Sequence, residues 1–304
     1  MSALSMKPDH LLGSGTPACA GCGALEEIRI IYEILGEKTV FVNAAGCMTL
    51  LSVYPFTPFR GSWIYTAMAS APAGAQGVRD ALDILLRKKR IGAEENVTVV
   101  VLTGDGSAYG MGLSSTSGAM DRNLDFIYIC YDNEGYGNTG YQFSAATPHG
   151  VRTSTSTGEF GHSGYKKDLF SIWAAHDPSY VGTICGSEPG DLVKKIKKIK
   201  KMSGPRMLIG LAPCPTGWHF DPSRTIEVGK LGVATGTWPL KEYVNGSVCH
   251  TKYPKEKGKR PLVEEYLRCQ RRFEHLFHPR RNEEMLSEIQ AGVDKYWQAV
   301  DHDR

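Results

Sequence analysis

Residues 1–215 alternate between strand-like segments rich in β-branched residues and helix-like segments with an apolar stripe. The strongest strand pattern is Val97–Leu102, which is almost continuously apolar, as expected of a strand covered on both faces. Further strands are predicted at 39–43, 126–131, 180–184 and 207–211, and helices at 24–35, 73–90, 112–120, 168–176 and 192–202. This alternation predicts an α/β fold, with a mostly parallel sheet flanked by helices.

The composition is typical of a globular chain that can bury a sizeable core, with 304 residues, 41% hydrophobic and 22% charged. A net charge of +3 is too small to indicate a nucleic-acid partner. The sequence contains no run of 18 apolar residues and no apolar stretch at its start, so we expect no membrane partner, no signal peptide and a cytoplasmic location. In such a reducing compartment, eight cysteines favour metal binding or buried thiols over disulfides.

The alternation breaks in two places. Residues 132–167 are rich in Gly, Ser and Thr, and a long irregular loop inside a compact domain is usually functional. From Pro215 onward the chain is polar and aromatic, with one helix predicted at 262–277. We therefore expect an α/β domain over residues 1–215 and a C-terminal extension over 216–304 that packs on it or contacts a partner subunit.

A Gly-Asp-Gly motif, Gly104–Gly106, directly follows the strongest strand, and Asn133 follows the next strand. Ligands of open parallel sheets bind beyond the carboxyl ends of the strands, and a right-handed crossover places these two ends side by side. Asp105 and Asn133 can therefore reach one Mg²⁺, which prefers carboxylate, amide and phosphate oxygens. Gly-Asp-Gly alone usually marks a turn, but the paired strand ends indicate a magnesium-bound diphosphate.

This pairing resembles the motif of thiamine-diphosphate enzymes. The resemblance implies that Asp105, the side chain of Asn133 and the backbone carbonyl of Gly135 are the magnesium ligands. It also implies that the neighbouring residues bind thiamine diphosphate, namely Gly46, Cys47, Gly104, Gly106, Ser107, Tyr136 and Asn138.

Four cysteines have the spacing of a metal or cluster site. Cys19 and Cys22 form a Cys-x-x-Cys motif before the first helix, and a thioredoxin-like pair would instead follow a strand. Cys47 and Cys214 each follow a predicted strand, on the edge of the sheet that carries the Gly-Asp-Gly motif. The four thiolates can converge there, and the spacing alone allows either zinc or a [4Fe–4S] cluster. The remaining cysteines are expected in the core (Cys130) or as plain thiols (Cys185, Cys249 and Cys269).

Several strings together resemble the β subunit of 2-oxoacid:ferredoxin oxidoreductases, and the pyruvate:ferredoxin oxidoreductase type in particular. The resemblance runs from about residue 10 to residue 277, on Cys19–Gly23, Ala45–Met48, Gly104–Gly106, Tyr131–Gly140, Thr147–Pro148, Ala212–Trp218, Gly229–Leu231, Trp238–Leu240 and Arg260–Leu267. It implies a thiamine-diphosphate-binding fold with a [4Fe–4S] cluster close to the thiamine, held by Cys19, Cys22, Cys47 and Cys214.

The same resemblance implies oxidative decarboxylation of a 2-oxo acid, pyruvate first, with coenzyme A as acyl acceptor and ferredoxin as electron acceptor. It implies partner subunits: an α subunit that supplies the glutamate for the aminopyrimidine ring, a γ subunit and a ferredoxin-like δ subunit. Asn138 is a candidate to hydrogen-bond the substrate, supported by Thr139, although a turn-stabilising asparagine is the alternative. Glu134 is expected to structure the magnesium loop, and His149 to be a surface residue rather than a catalytic one.

The chain departs from the pyruvate pattern after Trp63-Ile64, where Tyr65 occupies a position that usually carries histidine. Oxalate, without coenzyme A, or an aromatic 2-oxo acid is therefore an alternative substrate. A non-redox thiamine-dependent decarboxylase with structural zinc is a further alternative. A third alternative is an electron-transfer or scaffold subunit, in which the Gly-Asp-Gly motif is only a turn.

Overall fold

The structure is a computed structural model that describes residues 10–53, 57–92, 97–254 and 260–302. Its strands are β1 Thr39–Ala44, β2 Ser62–Thr66, β3 Thr98–Gly104, β4 Phe126–Asp132, β5 Tyr180–Cys185, β6 Pro205–Leu211, β7 Leu240–Val244 and β8 Ser247–Lys252. Within the described residues they form one sheet in the order β2-β1-β3-β4-β6-β5-β7-β8. The first six strands pair in parallel, whereas β7 and β8 are added as an antiparallel hairpin beside β5.

Helices cover both faces of the sheet. The α-helices are α1 Gly23–Leu35, α2 Ala71–Arg87, α3 Leu113–Asp121, α4 Leu169–Ala174, α5 Pro189–Ile199, α6 Pro215–Trp218, α7 Thr225–Ala234, α8 Val263–Arg268 and α9 Glu283–His302. Short 3₁₀ helices lie at Cys47–Ser52, Pro222–Arg224 and Arg271–Leu276, and a π-helical turn lies at Gly106–Met111. None of the described helices combines the length and the apolar character that crossing a bilayer requires.

The strands that lie centrally in the sheet are buried on both faces, which explains their nearly continuous apolar sequences. Every residue of β4 and β6 is buried. One face of β3 packs with α2 and α3 through residues such as Val101, while the other packs with α1 and α5 through residues such as Ile28 and Ile196. Burial of each such aliphatic side chain stabilises the fold by roughly 1.5–3 kcal/mol.

The structure confirms the predicted fold class, a mostly parallel sheet flanked by helices. Each strand and helix predicted within residues 1–215 has a counterpart within a few residues of its predicted bounds. Between β4 and α4, residues 133–168 form neither a helix nor a strand, as expected of a functional loop. The predicted helix at 262–277 was wrong in extent, because it is divided into α8 and the 3₁₀ helix Arg271–Leu276. The start of the chain, on which the expectation of no signal peptide rests, lies outside the described residues.

The order of the strands brings four loops together at one edge of the sheet. β1, β3, β4 and β6 are consecutive neighbours, and all four are parallel, so their carboxyl ends point the same way. The register pairs Gly104 at the end of β3 directly with Tyr131 near the end of β4. The motifs that follow these four strands therefore share one edge.

Candidate functional site

A pocket of about 110 Å³ lies at this edge, between the loops that follow β1, β3 and β4. All of the residues predicted to bind the cofactor line this pocket except Ser107. Thr139, which is predicted to support Asn138, also lines it. Ser107 is buried, and its hydroxyl donates a hydrogen bond to the carbonyl of Met68, which does line the pocket. The structure thus brings the predicted residues other than Ser107 into one small cavity.

Glycines allow the backbone of three loops to approach the pocket closely. A Cβ added at Gly46 would lie 2.6 Å from the Tyr131 hydroxyl, and one at Gly137 would lie 2.7 Å from Nδ2 of Asn133. The Tyr131 hydroxyl is buried and has no hydrogen-bond partner among the described residues, although it lines the pocket. A buried polar atom without a partner is costly, and a ligand that supplied one would be favoured here.

Replacing Gly106 by alanine is expected to disturb this cradle. The new Cβ would lie 2.1 Å from the Tyr136 ring, so the ring must leave the pocket wall. We expect overpacking to lower the free energy of unfolding by about 1–3 kcal/mol, and cofactor affinity to fall roughly tenfold. Thermal unfolding and a thiamine-diphosphate titration measure the two effects.

The matched control is Gly77→Ala, in the interior of α2, where an added Cβ meets nothing within 4 Å. That change should be neutral or should stabilise the chain by up to about 1 kcal/mol. Wild-type unfolding and cofactor affinity in Gly106→Ala would contradict the role assigned to this glycine.

Three oxygen-bearing groups converge where the magnesium ligands are predicted. One terminal amide atom of Asn133 lies 2.7 Å from both Asp105 Oδ1 and the carbonyl oxygen of Gly135. With the amide oxygen in that place, three oxygens face one another, a set that a hard cation such as Mg²⁺ neutralises. With the nitrogen there, the amide donates hydrogen bonds to both partners. These residues therefore fit a magnesium ion. Without the ion, rotation of the Asn133 amide by half a turn satisfies the same oxygens with hydrogen bonds.

The Asp105 carboxyl is held in an apolar and negatively charged setting. Burial, followed by the nearby Asp132 carboxylate, raises the pKa of Asp105 well above its usual range. The Ser144 hydroxyl donates a hydrogen bond to Asp105 Oδ2 and acts in the opposite direction, as does Lys166. A cation placed at Asp105 would favour the ionised carboxylate, because an opposite charge in contact lowers a carboxyl pKa.

A buried ion network supports the loop after β4, and the sequence reasoning missed most of it. Lys166 Nζ lies 2.7 Å from Asp132 and 3.0 Å from Glu134, and Arg272 lies 2.6 Å from the other Glu134 oxygen. Burial alone would raise the pKa of Glu134, but Lys166 and Arg272 together lower it. Glu134 therefore structures the loop, as predicted. No local sequence signal marks Lys166 or Arg272 as its partners, since both are distant along the chain.

The other residues singled out in the sequence lie at the margin of the pocket or outside it. Asn138 is exposed at the pocket wall, and the Thr139 hydroxyl donates to Gln142 Oε1 at 2.5 Å. His149 does not line the pocket; it stacks on Tyr165, with ring centroids 4.7 Å apart. Within the described residues, Asp105 is the one carboxylate that lines the pocket.

The four cysteines of the predicted cluster lie in one region beside the pocket. Burial, followed by the charges of Cys214, Cys22 and Cys19, raises the pKa of Cys47 to about 12. Burial and the same two N-terminal thiols raise the pKa of Cys214 to about 11. A backbone hydrogen bond from Gly23 to Pro213, 3.1 Å, ties the Cys-x-x-Cys turn to the loop after β6.

Among the described residues, no three His, Cys, Asp or Glu side chains are already arranged as a metal site. The fit of the cluster therefore rests on the donor set, four free thiols that act on one another electrostatically. Mutual repulsion of this kind disfavours four thiolates without a metal, and a bound cluster relieves it. Cys130 and Cys185 are buried, and the structure confirms Cys130 as a core residue.

Comparison with known proteins identifies the family to which this chain is similar. Residues 44–209 match the model of the thiamine pyrophosphate enzyme C-terminal TPP-binding domain. Pyruvate synthase subunit PorB of Methanocaldococcus jannaschii is 39% identical, over 97% of this chain and 98% of its own length. The PorB of Methanothermobacter thermautotrophicus is 41% identical, over 98% and 99%. Ketoisovalerate oxidoreductase subunit VorB of Pyrococcus furiosus is 34% identical, over 94% and 91%.

A solved structure supports the fold. The 2-oxoglutarate:ferredoxin oxidoreductase of Magnetococcus marinus aligns with a TM-score of 0.58 and 19% identity, over 75% of this chain and 81% of that chain. The family model covers more than half of the sequence and the PorB relatives cover nearly all of it. The chain therefore belongs to the thiamine-diphosphate-binding β subunits of the 2-oxoacid:ferredoxin oxidoreductases.

Proposed function

We propose that this chain is the catalytic β subunit of a pyruvate:ferredoxin oxidoreductase that uses coenzyme A. The net reaction releases CO₂, two electrons and one proton as pyruvate and coenzyme A become acetyl-coenzyme A, and ferredoxin takes the electrons. The observation that carries the proposal is the placement of Asp105, Asn133 and Gly135 around one point, beside four thiols. The relatives named pyruvate synthase are 36% to 41% identical, against 34% to 35% for those named ketoisovalerate oxidoreductase, which favours pyruvate.

We assign the diphosphate end of the cofactor to the pocket. Asp105, the Asn133 amide oxygen and the Gly135 carbonyl would hold Mg²⁺, and the glycines would let backbone N–H groups approach the phosphates. Trp218 donates a 2.8 Å hydrogen bond to the carbonyl of Asn133 and so fixes this loop. Bound thiamine diphosphate would supply an electron sink for the loss of CO₂.

Asn138 is the proposed contact for the substrate. It lies on the pocket wall and is exposed, so its amide can donate a hydrogen bond to an oxygen of the 2-oxo acid. Thr139 has a positioning role, because its hydroxyl bonds Gln142 and the Gln142 amide donates to the Thr139 carbonyl at 2.8 Å. These bonds hold the turn that carries Asn138.

Cys19, Cys22, Cys47 and Cys214 are the proposed ligands of a [4Fe–4S] cluster, which would supply one-electron acceptance beside the cofactor. Cys47 lines the cofactor pocket, so the cluster side and the thiamine side share this residue. None of the eight cysteines, all of which lie in the described part of the chain, forms a disulfide, which fits a reducing compartment such as the cytoplasm.

The chain is proposed to act within a complex. The aminopyrimidine ring needs a carboxylate, and among the described residues the pocket offers only Asp105, which faces the magnesium point. An α subunit would supply that glutamate, and a ferredoxin-like subunit would carry electrons onward. We divide the chain at residue 215. The extension 216–304 contributes β7 and β8 to the sheet and packs residues such as Phe273 and Leu286 into the core, and we expect its exposed faces to contact partner subunits.

The substrate is tested by a 2-oxo acid panel on the whole complex, with a viologen as electron acceptor. We expect pyruvate to be oxidised only when coenzyme A is present, and faster than branched or aromatic 2-oxo acids. Viologen reduction by oxalate without coenzyme A would refute the assignment to pyruvate. Tyr65, which raised the oxalate alternative, is largely exposed and lies outside the pocket lining, so it gives oxalate no structural support.

A further inference from the structure

One buried arginine of the C-terminal extension contacts both loops that carry the proposed cofactor sites. Arg272 lies in the 3₁₀ helix Arg271–Leu276, and its side chain is fully buried. Its Nη2 donates to Glu134 at 2.6 Å, its Nη1 to the Tyr141 hydroxyl at 2.7 Å and its Nε to Gln270 at 2.8 Å. Each nitrogen of the guanidinium group therefore has its own acceptor, an arrangement that suits its planar fork.

The first of these loops follows β4 and carries the proposed magnesium ligands. Glu134 stands between Asn133 and Gly135, and its backbone has a positive φ of 62°, a conformation that a non-glycine residue adopts at a cost. Such a residue keeps this conformation only where its surroundings hold it. Arg272 bonds one oxygen of the Glu134 carboxylate, and Lys166 bonds the other at 3.0 Å. The two cations therefore hold the loop at the point between its two proposed ligands.

The second loop follows β6 and carries Cys214, a proposed cluster ligand. Cys214 is the N-cap of α6, and the backbone N–H of Trp218 donates to its carbonyl at 2.8 Å. The guanidinium carbon of Arg272 lies 3.9 Å from the centre of the Trp218 ring, a cation–π contact inside the protein. The indole N–H of the same ring donates to the Asn133 carbonyl at 2.8 Å. Trp218 thus joins the second loop to the first, with Arg272 packed on its face.

The Tyr141 ring completes the connection between the two loops. A Cβ added at Gly135, in the first loop, would lie 2.9 Å from this ring, and one at Gly217, in α6, would lie 2.3 Å from it. The ring therefore lies against the backbone of both loops, while its hydroxyl accepts the bond from Arg272. We call these three buried side chains, Arg272, Tyr141 and Trp218, the cross-brace.

The charge of Arg272 also acts on the second loop. Burial raises the pKa of Cys214 to about 11, and the Gly217 N–H bond and the positive charge of Arg272 both act against this rise. A nearby positive charge favours the more negatively charged state of a neighbouring group. The same charge would therefore favour the reduced, more negative state of a cluster held by Cys214.

We propose that Arg272 is a positioning residue for both cofactors: through Glu134 it holds the magnesium ligands in place, and through Trp218 it holds the Cys214 turn beside them. The identity of the cofactors rests on the proposed function, whereas the contacts of the cross-brace do not depend on it. The extension 216–304 then has a role inside the site as well as the expected subunit contacts. Residues that orient metal ligands in this way typically change metal affinity ten- to hundredfold.

The test uses the whole complex carrying Arg272→Met, a change that fills much of the same space without the charge or the donors. We expect the Kd of thiamine diphosphate, titrated calorimetrically into the cofactor-depleted complex at a fixed magnesium concentration, to rise roughly tenfold. We also expect the midpoint reduction potential of the cluster to fall, because the cation that favours its reduced state is gone. In a redox titration, the EPR signal that is absent from the Cys22→Ser complex identifies this cluster.

A double-mutant cycle tests whether Arg272 acts through Glu134. Glu134→Gln alone should weaken cofactor binding to a similar degree. Adding Arg272→Met should weaken binding by no more than about twofold further, since both changes break the same contact. A loss equal to the product of the two single effects would show that Arg272 acts independently of Glu134 and would overturn the inference.

Two control variants separate positioning from a simple loss of stability. Arg271→Met changes the neighbouring arginine, which is exposed and pairs with Glu274, and should leave the cofactor affinity and the potential at wild type. Leu276→Ala removes a fully buried side chain from the same 3₁₀ helix, and should lower the unfolding temperature without changing either value. Wild-type affinity in Arg272→Met, or equal losses in Leu276→Ala, would overturn the inference.

If the Arg272→Met complex does not assemble, Arg272→Lys gives the same comparison. Lysine keeps a charge but lacks the planar fork that bonds three acceptors at once, so cofactor binding should still be weakened. Wild-type binding in that variant would count against the positioning role. A wild-type complex that bound thiamine diphosphate but oxidised no 2-oxo acid would refute the proposed function, and the affinity comparison would still decide the inference.

Discussion

Substituting Asp105 by alanine is expected to leave the complex without bound magnesium and thiamine diphosphate, and therefore without activity. Asp105 supplies the one carboxylate at the point where Asn133 and Gly135 also place oxygens. Removing a residue that only hydrogen-bonds to a metal ligand typically lowers metal affinity ten- to hundredfold. Removing the charged ligand itself should therefore lower magnesium affinity on the order of a hundredfold or more. Thiamine diphosphate and magnesium in the purified complex, and a cofactor titration, measure the effect.

The fold should survive this substitution. Burial and Asp132 raise the pKa of Asp105, so the carboxyl is costly to ionise where it lies, and alanine removes that cost. Asp121→Ala, at an exposed position at the end of α3, is the control and should retain both cofactor components. An Asp105→Ala complex that still held magnesium and cofactor at wild-type affinity would show that the ligand assignment is wrong.

Substituting Cys22 by serine is expected to remove the cluster while leaving the thiamine site intact. Cys22 is the N-cap of α1 and makes no side-chain cap hydrogen bond. Serine is a favoured N-cap residue, so this change removes a thiolate without weakening the helix. Cys22 does not line the cofactor pocket. We therefore expect thiamine diphosphate to stay bound and viologen reduction to fall roughly hundredfold or more, because a [4Fe–4S] cluster needs all four thiolates.

Cys249→Ser, which changes an exposed thiol on β8, is the matched control and should keep the wild-type iron content and rate. Release of CO₂ from the 2-oxo acid without an electron acceptor distinguishes the two halves of the site. The Cys22→Ser complex should retain that release while losing viologen reduction. Equal iron contents and equal rates of viologen reduction in the Cys22→Ser and Cys249→Ser complexes would show that Cys22 is not a cluster ligand.

The sequence predicted those parts of the molecule that depend on local pattern. The central strands are buried on both faces, so their apolar runs were recognisable, and the parallel order followed from the alternation with helices. β2 was missed because it is a largely exposed strand at the end of the sheet, with little apolar pattern to detect. The β7–β8 hairpin did carry a signal, since Asn245 and Gly246 both have positive φ, and Asn-Gly is typical of a two-residue hairpin turn.

The candidate site was predictable in its motifs but not in its supports. Asp105 and Asn133 were recognisable because each directly follows a strand that the sequence predicts. Lys166, Arg272 and Ser144, which neutralise or bond the buried carboxyls, come from segments without periodic pattern. Their pairing depends on how the loop 133–168 and the C-terminal extension fold over the sheet edge, which single-sequence pattern does not encode.

The central claim is that a thiamine-diphosphate site and an iron–sulfur cluster share one edge of this chain. The most direct measurement is metal, sulfide and cofactor analysis of the anaerobically purified complex, with visible spectroscopy. We predict one thiamine diphosphate and one magnesium per chain. We also predict that substitution of Cys19, Cys22, Cys47 or Cys214 removes about four irons with matching sulfide per chain and leaves the iron of the ferredoxin-like subunit in place. Their broad brown absorption should bleach on reduction. One zinc per chain, with iron unaffected by those four substitutions, would contradict the account.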